Sequence, residues 1–330
     1  MSADRRTFLS AAAALFAASA ASAQDYADPA TIARGAGAPP WPSNERFPLW
    51  PGAAPGSLRQ RPRPQWTVSG DPNYRQLWIK GIATPEVNVF RPALPDGSAI
   101  LAIPGGGYEF IAVQNEGIDA AERFNAERTT VFVLTYRLPA EGWIKRSLAP
   151  LQDAQRAMRL IRSRAAELRI DPDRLGVIGF SAGGHLAADL AVSHAERAYA
   201  PVDAADRLSA RPAYVGLIYP VTTLGAGTHG GSRDNLLGAN ASATLIETRS
   251  PVLHVTSATP PSFLVAAFDD DTVPIDNSLG WIASARAAKV SVEGHLLAQG
   301  GHGFGFHLPR DNPGARWPDL FALWMRQHGG

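Results

Sequence analysis

The sequence has no cysteine, almost no net charge and, beyond its first residues, no long apolar run. Without cysteine there are no disulfides, no thiolate-bound zinc or iron–sulfur cluster, and no thiol nucleophile. Lys and Arg total 31 against 30 Asp and Glu, a formal charge of +1, so the basic footprint of a nucleic-acid partner is missing. No run of about 20 apolar residues follows the N-terminus, which excludes a multi-span membrane protein. What is present is 45% hydrophobic and 18% charged residues over 330 positions. That is too apolar and too near neutrality for a disordered chain, and long enough for one large domain or two small ones.

Residues 1–23 read as a targeting segment. Arg5-Arg6-Thr7-Phe8-Leu9 is a twin-arginine pattern, an alanine-rich run spans 11–20, and Ala21-Ser22-Ala23 has the form of a cleavage site. The run is too short and too weakly apolar to hold as an anchor. The expectation is export by the twin-arginine route to the periplasm or beyond, with no stable membrane insertion after processing.

Residues 24–66 form a proline-rich arm. Each proline fixes φ and removes an N–H, so the arm is expected to be extended rather than helical or part of a central strand. Trp41, Phe47, Trp50 and Trp66 within it are expected to pack on the body.

Residues 67–330 read as one domain. Short apolar strands are expected at 77–82, 87–90, 99–103, 131–134, 175–180, 214–219, 263–268 and 290–297. Helical spacing is expected over 118–127, 151–168, 182–194, 275–288 and 317–327. Residues 221–260, rich in Gly, Ser and Thr, lack a clear period and read as an excursion over one end of the sheet. Strands that are apolar on both faces and alternate with helices imply a mainly parallel sheet covered by helices, the α/β class.

Gly179-Phe180-Ser181-Ala182-Gly183 is a G-x-S-x-G motif between an expected strand and an expected helix. That context is a nucleophile elbow, which lifts a serine hydroxyl clear of the sheet edge beside a helix N-terminus. Serine alone is a poor nucleophile and needs a base and a group that orients the base. In the hydrolase order the acid and then the histidine follow the serine along the chain. His302 lies in the glycine loop Gln299-Gly300-Gly301-His302-Gly303 after the last expected strand, which fits the base. Asp269-Asp270-Asp271 follows the strand at 263–268. Asp269, the first residue past the strand end, is the preferred acid, with Asp270 and Asp271 as alternatives.

Pro104-Gly105-Gly106-Gly107-Tyr108 closes an earlier strand. Its backbone N–H groups, with that of Ala182, can form an oxyanion hole, and Tyr108 is a candidate substrate contact. His185, four residues past Ser181, reads as a packing or hydrogen-bonding histidine. Trp143 and Trp281 read as core, although either could line a sugar cleft. No metal or organic cofactor is required by this set.

Together with Pro150-Leu151-Gln152-Asp153-Ala154-Gln155-Arg156-Ala157 and Thr272-Val273-Pro274-Ile275-Asp276-Asn277-Ser278, these motifs resemble bacterial α/β-hydrolase esterases. The similarity is to the acetyl esterase and acetylxylan-esterase-like branch, and covers roughly residues 48–327. The resemblance implies the α/β-hydrolase fold and ester cleavage through an acyl-enzyme. It carries the nucleophile onto Ser181, the acid onto Asp269, the base onto His302, and the oxyanion donors onto Gly106 or Gly107 and Ala182. Many relatives have His where this chain has Pro104; the donors are backbone groups, so the hole is expected to survive. The implied substrate is a small-molecule or oligosaccharide ester with a short acyl group. One rival is a prolyl-oligopeptidase-like peptidase, disfavoured by the short segment before the first strands. Another is a non-catalytic carbohydrate-binding hydrolase fold, disfavoured by the intact Ser, Asp and His set.

Overall fold

The computed structural model describes residues 41–57, 59–69 and 76–329. The leader expected at 1–23 and the first part of the arm lie outside the described residues. Among the described residues, no helix is long and apolar enough to cross a membrane.

The later arm has no helix among its described residues; it consists of short strands joined by bends and a turn, and Trp41, Phe47 and Trp50 are buried. Strand β1 (Glu45–Pro48) pairs antiparallel with β4 (Glu86–Phe90) and forms one edge of the main sheet. An edge tolerates Pro48, because an outer strand need not donate on its open side. Between them, β2 (Gln65–Ser69) and β3 (Gln76–Lys80) form a small antiparallel sheet with β6 (Ile111–Ala112).

Among the described residues, the main sheet has eight strands in the order β1-β4-β7-β5-β8-β9-β10-β11. Its remaining members are β5 (Ala99–Ile103), β7 (Thr130–Thr135), β8 (Leu175–Phe180), β9 (Val215–Ile218), β10 (Ser262–Ala267) and β11 (Val292–Leu297). From β7 to β11 every neighbouring pair is parallel. Every residue of β5, β7, β8, β9 and β10 is buried, as continuous apolar runs require when helices cover both faces.

The helices are α1 (Asp119–Asn125), α2 (Ala149–Ser163), α3 (Ala165–Leu168), α4 (Ser181–Ser193), α5 (Gly230–Leu237), α6 (Ala243–Thr248), α7 (Asp276–Ala287) and α8 (Trp317–Gln327). The helix expected over 151–168 is interrupted at Arg164, whose ψ of 15° leaves the helical region. The 221–260 excursion holds α5 and α6, two short helices with no apolar period to announce them. Trp143 and Trp281 are both buried. The loops after β5, β8, β9, β10 and β11 all leave the carboxyl edge of the parallel strands, where ligands bind in open α/β sheets.

Candidate active site

Ser181 stands at the turn from β8 into α4 with φ 52°, a left-handed conformation that costs a non-glycine residue about 1–3 kcal/mol. The turn can be this sharp because its neighbours have no side chains. A Cβ on Gly179 would sit 2.4 Å from the Gly183 carbonyl oxygen, and one on Gly183 would sit 2.1 Å from that of Ile103. The strain projects Ser181 Oγ to 2.8 Å from His302 Nε2. On the far side of the ring, His302 Nδ1 lies 2.7 Å from Asp270 Oδ2. The carboxylate can only accept, so Nδ1–H donates to it and Nε2 is left to accept the serine proton. The structure thus brings Ser181 and His302 together as expected, across 121 positions of sequence.

The carboxylate behind the ring belongs to Asp270, which corrects the preference for Asp269. The chain turns at 268–269 as it leaves β10, with Asp270 N–H directed to the Ala267 carbonyl. The turn sends Asp269 outward and swings Asp270 back over the sheet edge. Asp270 is buried, and its Oδ1 accepts from the N–H groups of Thr272 and Val273 at 2.9 and 2.8 Å. Asp269 instead shapes the loop that delivers His302, because its Oδ1 accepts from Gly300 and Gly301 N–H, both at 2.8 Å. Asp271 is exposed.

The glycine loop after β5 stands opposite Ser181. Gly105 N–H is already taken by Glu116 Oε2 at 2.6 Å. Gly106 and Gly107 adopt φ of 116° and 64°, and among the described residues no hydrogen bond occupies their N–H groups. Ala182 N–H lies in the first turn of α4, where helix geometry supplies no partner. The loop is held from outside by Asn235 of α5, whose Nδ2 donates to the Gly107 carbonyl at 2.9 Å.

Tyr108 is a second correction. Its side chain is fully buried rather than turned to a ligand, and its hydroxyl lies 2.7 Å from His185 Nδ1. His185 Nε2 faces the Arg249 carbonyl at 2.8 Å, so Nε2–H donates there and Nδ1 accepts from Tyr108. Burial lowers the pKa of His185 and keeps it neutral. Tyr108 therefore anchors the glycine loop to α4.

Three residues near the site escaped the sequence reading. His229 caps α5: its Nδ1 accepts Ser232 N–H at 3.3 Å, which leaves Nε2 as the protonated nitrogen of the neutral ring. Its pKa is lowered by burial and by the proximity of His302, and it borders Gly107. Tyr219 follows β9 at φ 38° and stands edge-on to His302, with ring centroids 4.9 Å apart. The sequence placed Tyr219 as the last residue of an expected strand at 214–219, whereas β9 ends at Ile218 and Tyr219 is the first residue beyond it. Glu116 carried no sequence signal.

Comparison with known proteins bears on the family and the fold. The BD-FAE family profile matches residues 89–282. Endo-1,4-beta-xylanase B of Butyrivibrio fibrisolvens is 36% identical over 204 residues, 62% of this chain and 32% of that protein. The acetylxylan esterase of Xylanibacter ruminicola is 32% identical over 222 residues, 66% of this chain and 43% of that protein. The chain thus spans less than half the length of these curated relatives. A crystal structure of an acetyl ester-xyloside bifunctional hydrolase from Caldicellulosiruptor lactoaceticus superposes with a TM-score of 0.71 at 33% identity, covering 87% of this chain and 97% of that one. With the profile lying over more than half of its residues, the chain belongs to the BD-FAE family and is an acetylxylan-esterase-like α/β hydrolase.

Proposed function

We propose that the protein is an exported serine esterase that removes short acyl groups, acetyl above all, from xylan or related oligosaccharides. The observation that carries the reading is the unbroken chain from Ser181 Oγ through His302 to Asp270, at 2.8 and 2.7 Å. In the reaction, His302 Nε2 takes the Ser181 proton as Oγ attacks the ester carbonyl carbon. The carbonyl oxygen becomes an oxyanion and is met by N–H groups of Gly106 or Gly107 and of Ala182. Asp270 holds the ring and stabilises its charged form. The tetrahedral species collapses, the alcohol leaves with the proton from His302, and an acyl-Ser181 remains. Water, deprotonated by His302, repeats the sequence and releases the acid.

The acetyl and xylan parts of the reading draw on the named relatives, and export draws on the twin-arginine pattern at Arg5-Arg6. Hydrolysis of p-nitrophenyl acetate by the wild type and by Ser181→Ala tests the chemistry; equal rates would sink it. Acetate release from acetylated xylan tests the substrate, and faster cleavage of octanoyl than of acetyl esters would overturn the short-acyl assignment. Fractionation of the producing cells tests export, which a protein confined to the cytoplasm would contradict.

A further inference from the structure

Glu116 is buried beside the site and takes no part in the steps above. It belongs to a single π-helical turn, Gln114–Ile118, between β6 and α1, a distortion found often at functional sites. Its Oε2 accepts Gly105 N–H at 2.6 Å, and its Oε1 lies 2.9 Å from the Tyr219 hydroxyl. The Tyr219 oxygen in turn accepts Gly305 N–H at 3.1 Å. One carboxylate therefore ties the loop of Gly106 and Gly107 to the loop of His302. The backbone N–H groups at both ends can only donate, so the phenolic proton of Tyr219 points at Glu116, and both carboxylate oxygens act as acceptors. That pattern suits the ionised form.

We propose that Glu116 is a positioning residue: its carboxylate sets the oxyanion loop against the histidine loop, and its charge favours the imidazolium formed when His302 takes the serine proton. The inference rests on the proposed esterase reaction and adds a second buried anion to it. Burial pushes the Glu116 carboxyl up, the hydrogen bonds from Gly105 and Tyr219 and the nearness of His302 pull it part of the way back, and the net direction is up. It is the donor geometry around both oxygens that argues for the anion. The other groups around the pair are identifiable. Asp270 faces His302 from the loop after β10, and neutral His229 faces it from the cap of α5. Asp269 is engaged with Gly300 and Gly301, and Tyr136, near Glu116, donates its hydroxyl to the Pro104 carbonyl.

The test compares Glu116→Gln and Tyr219→Phe with the wild type on p-nitrophenyl acetate. Glu116→Gln is expected to lower kcat about 10–100-fold with KM within about threefold, because the loops shift while the pocket remains. Losing the anion is also expected to move the acid limb of the kcat/KM profile about 0.5–1 unit toward lower pH. Tyr219→Phe cuts the link to Gly305 but keeps the charge, so kcat should fall and the acid limb should stay. Unchanged kcat in Tyr219→Phe would overturn the tether even if Glu116→Gln did not fold. A loss in Glu116→Gln with an unmoved acid limb would reduce Glu116 to scaffolding and overturn the charge role. The titration of the His302 ring by NMR needs no substrate and separates the two readings. A shift in Glu116→Gln with no ester cleaved by the wild type supports the charge role and sinks the esterase. No shift with full cleavage by the wild type sinks this inference alone.

Discussion

At the scale of single residues, the neighbouring aspartates 269 and 270 make a natural control for each other. Asp270 gives one oxygen to His302 and the other to two backbone N–H groups, so its carboxylate is fixed in position and orientation. Asp270→Asn keeps the shape but can present a donor to Nδ1, which favours the wrong tautomer. We expect kcat for p-nitrophenyl acetate to fall about 10³–10⁴-fold. Asp269→Asn retains an acceptor oxygen for Gly300 and Gly301, and a loss of less than about tenfold is expected, as for a small displacement of the histidine loop. Equal losses in the two variants would contradict the assignment. Ser181 and His302 were legible in the sequence because motif, chain order and glycine loops agree on them. The choice among three aspartates was not, because it depends on a two-residue turn whose direction no spacing rule records. Glu116 was illegible for a different reason: its partners, Gly105 and Tyr219, are 11 and 103 positions away, and only the sheet joins them.

At the scale of elements, the site depends on helices that hold loops rather than on the strands alone. α4 begins at Ser181 and brings its first N–H groups and dipole to the place where negative charge develops in the proposed reaction. α5 reaches the oxyanion loop from the other side through Asn235. Asn235→Ala frees the Gly107 carbonyl, and kcat is expected to fall several-fold, on the order of 3–10-fold, with KM little changed. A kcat equal to that of the wild type would show that the loop is held without α5. The buried strands were readable as continuous apolar runs, because residues pointing to both faces meet helices. β1 and β2 were not, since proline and polar residues are tolerated at an edge. α6 carried a faint signal in Ser242, whose side chain accepts Leu245 N–H at 3.2 Å. α5 carried none, because a histidine is not an ordinary cap.

At the scale of the whole molecule, the arm is bound to the body through buried charge on one helix. From α2, Arg156 donates from Nε to the Leu49 carbonyl at 2.9 Å and pairs with Asp203 and Asp206. The Arg156 hydrogen bond holds the Asp203 carboxyl below its ordinary range. For Asp206, burial raises the carboxyl, but bonds from Tyr199, Val202 N–H and Arg156 outweigh it, and the net direction is down. A carboxyl whose folded pKa is depressed adds stability above its unfolded pKa, and that stability is lost as pH falls through the folded value. The melting temperature is therefore expected to drop below about pH 4, and Arg156→Met should flatten that drop. The same slope in both proteins would exclude these carboxyls as its source.

A second link between arm and body runs through the pair of Arg137 and Asp153, both in the body, which hold Pro55 and Trp50 of the arm. Both side chains are wholly buried, with Nε 2.9 Å from Oδ2. Arg137 also donates to the carbonyls of Pro55 and Ala149 at 2.5 and 3.1 Å and to Gln152 Oε1 at 2.8 Å, while Asp153 accepts from Trp50 Nε1 at 2.8 Å. Taking two ions out of water costs several kcal/mol, so the pair is no simple gain in stability. Removing one partner is the severe change, because the other charge stays buried and uncompensated. Asp153→Ala strands the guanidinium and also frees the Trp50 indole that pins the arm. The expected loss is about 3–5 kcal/mol, or roughly 10 °C in melting temperature for a domain of this size. Asp153→Asn keeps acceptor geometry without charge and should fall between. If Asp153→Ala melted within about 2 °C of the wild type, less than the shift expected from 1 kcal/mol, the arm would not be held to the body through this pair.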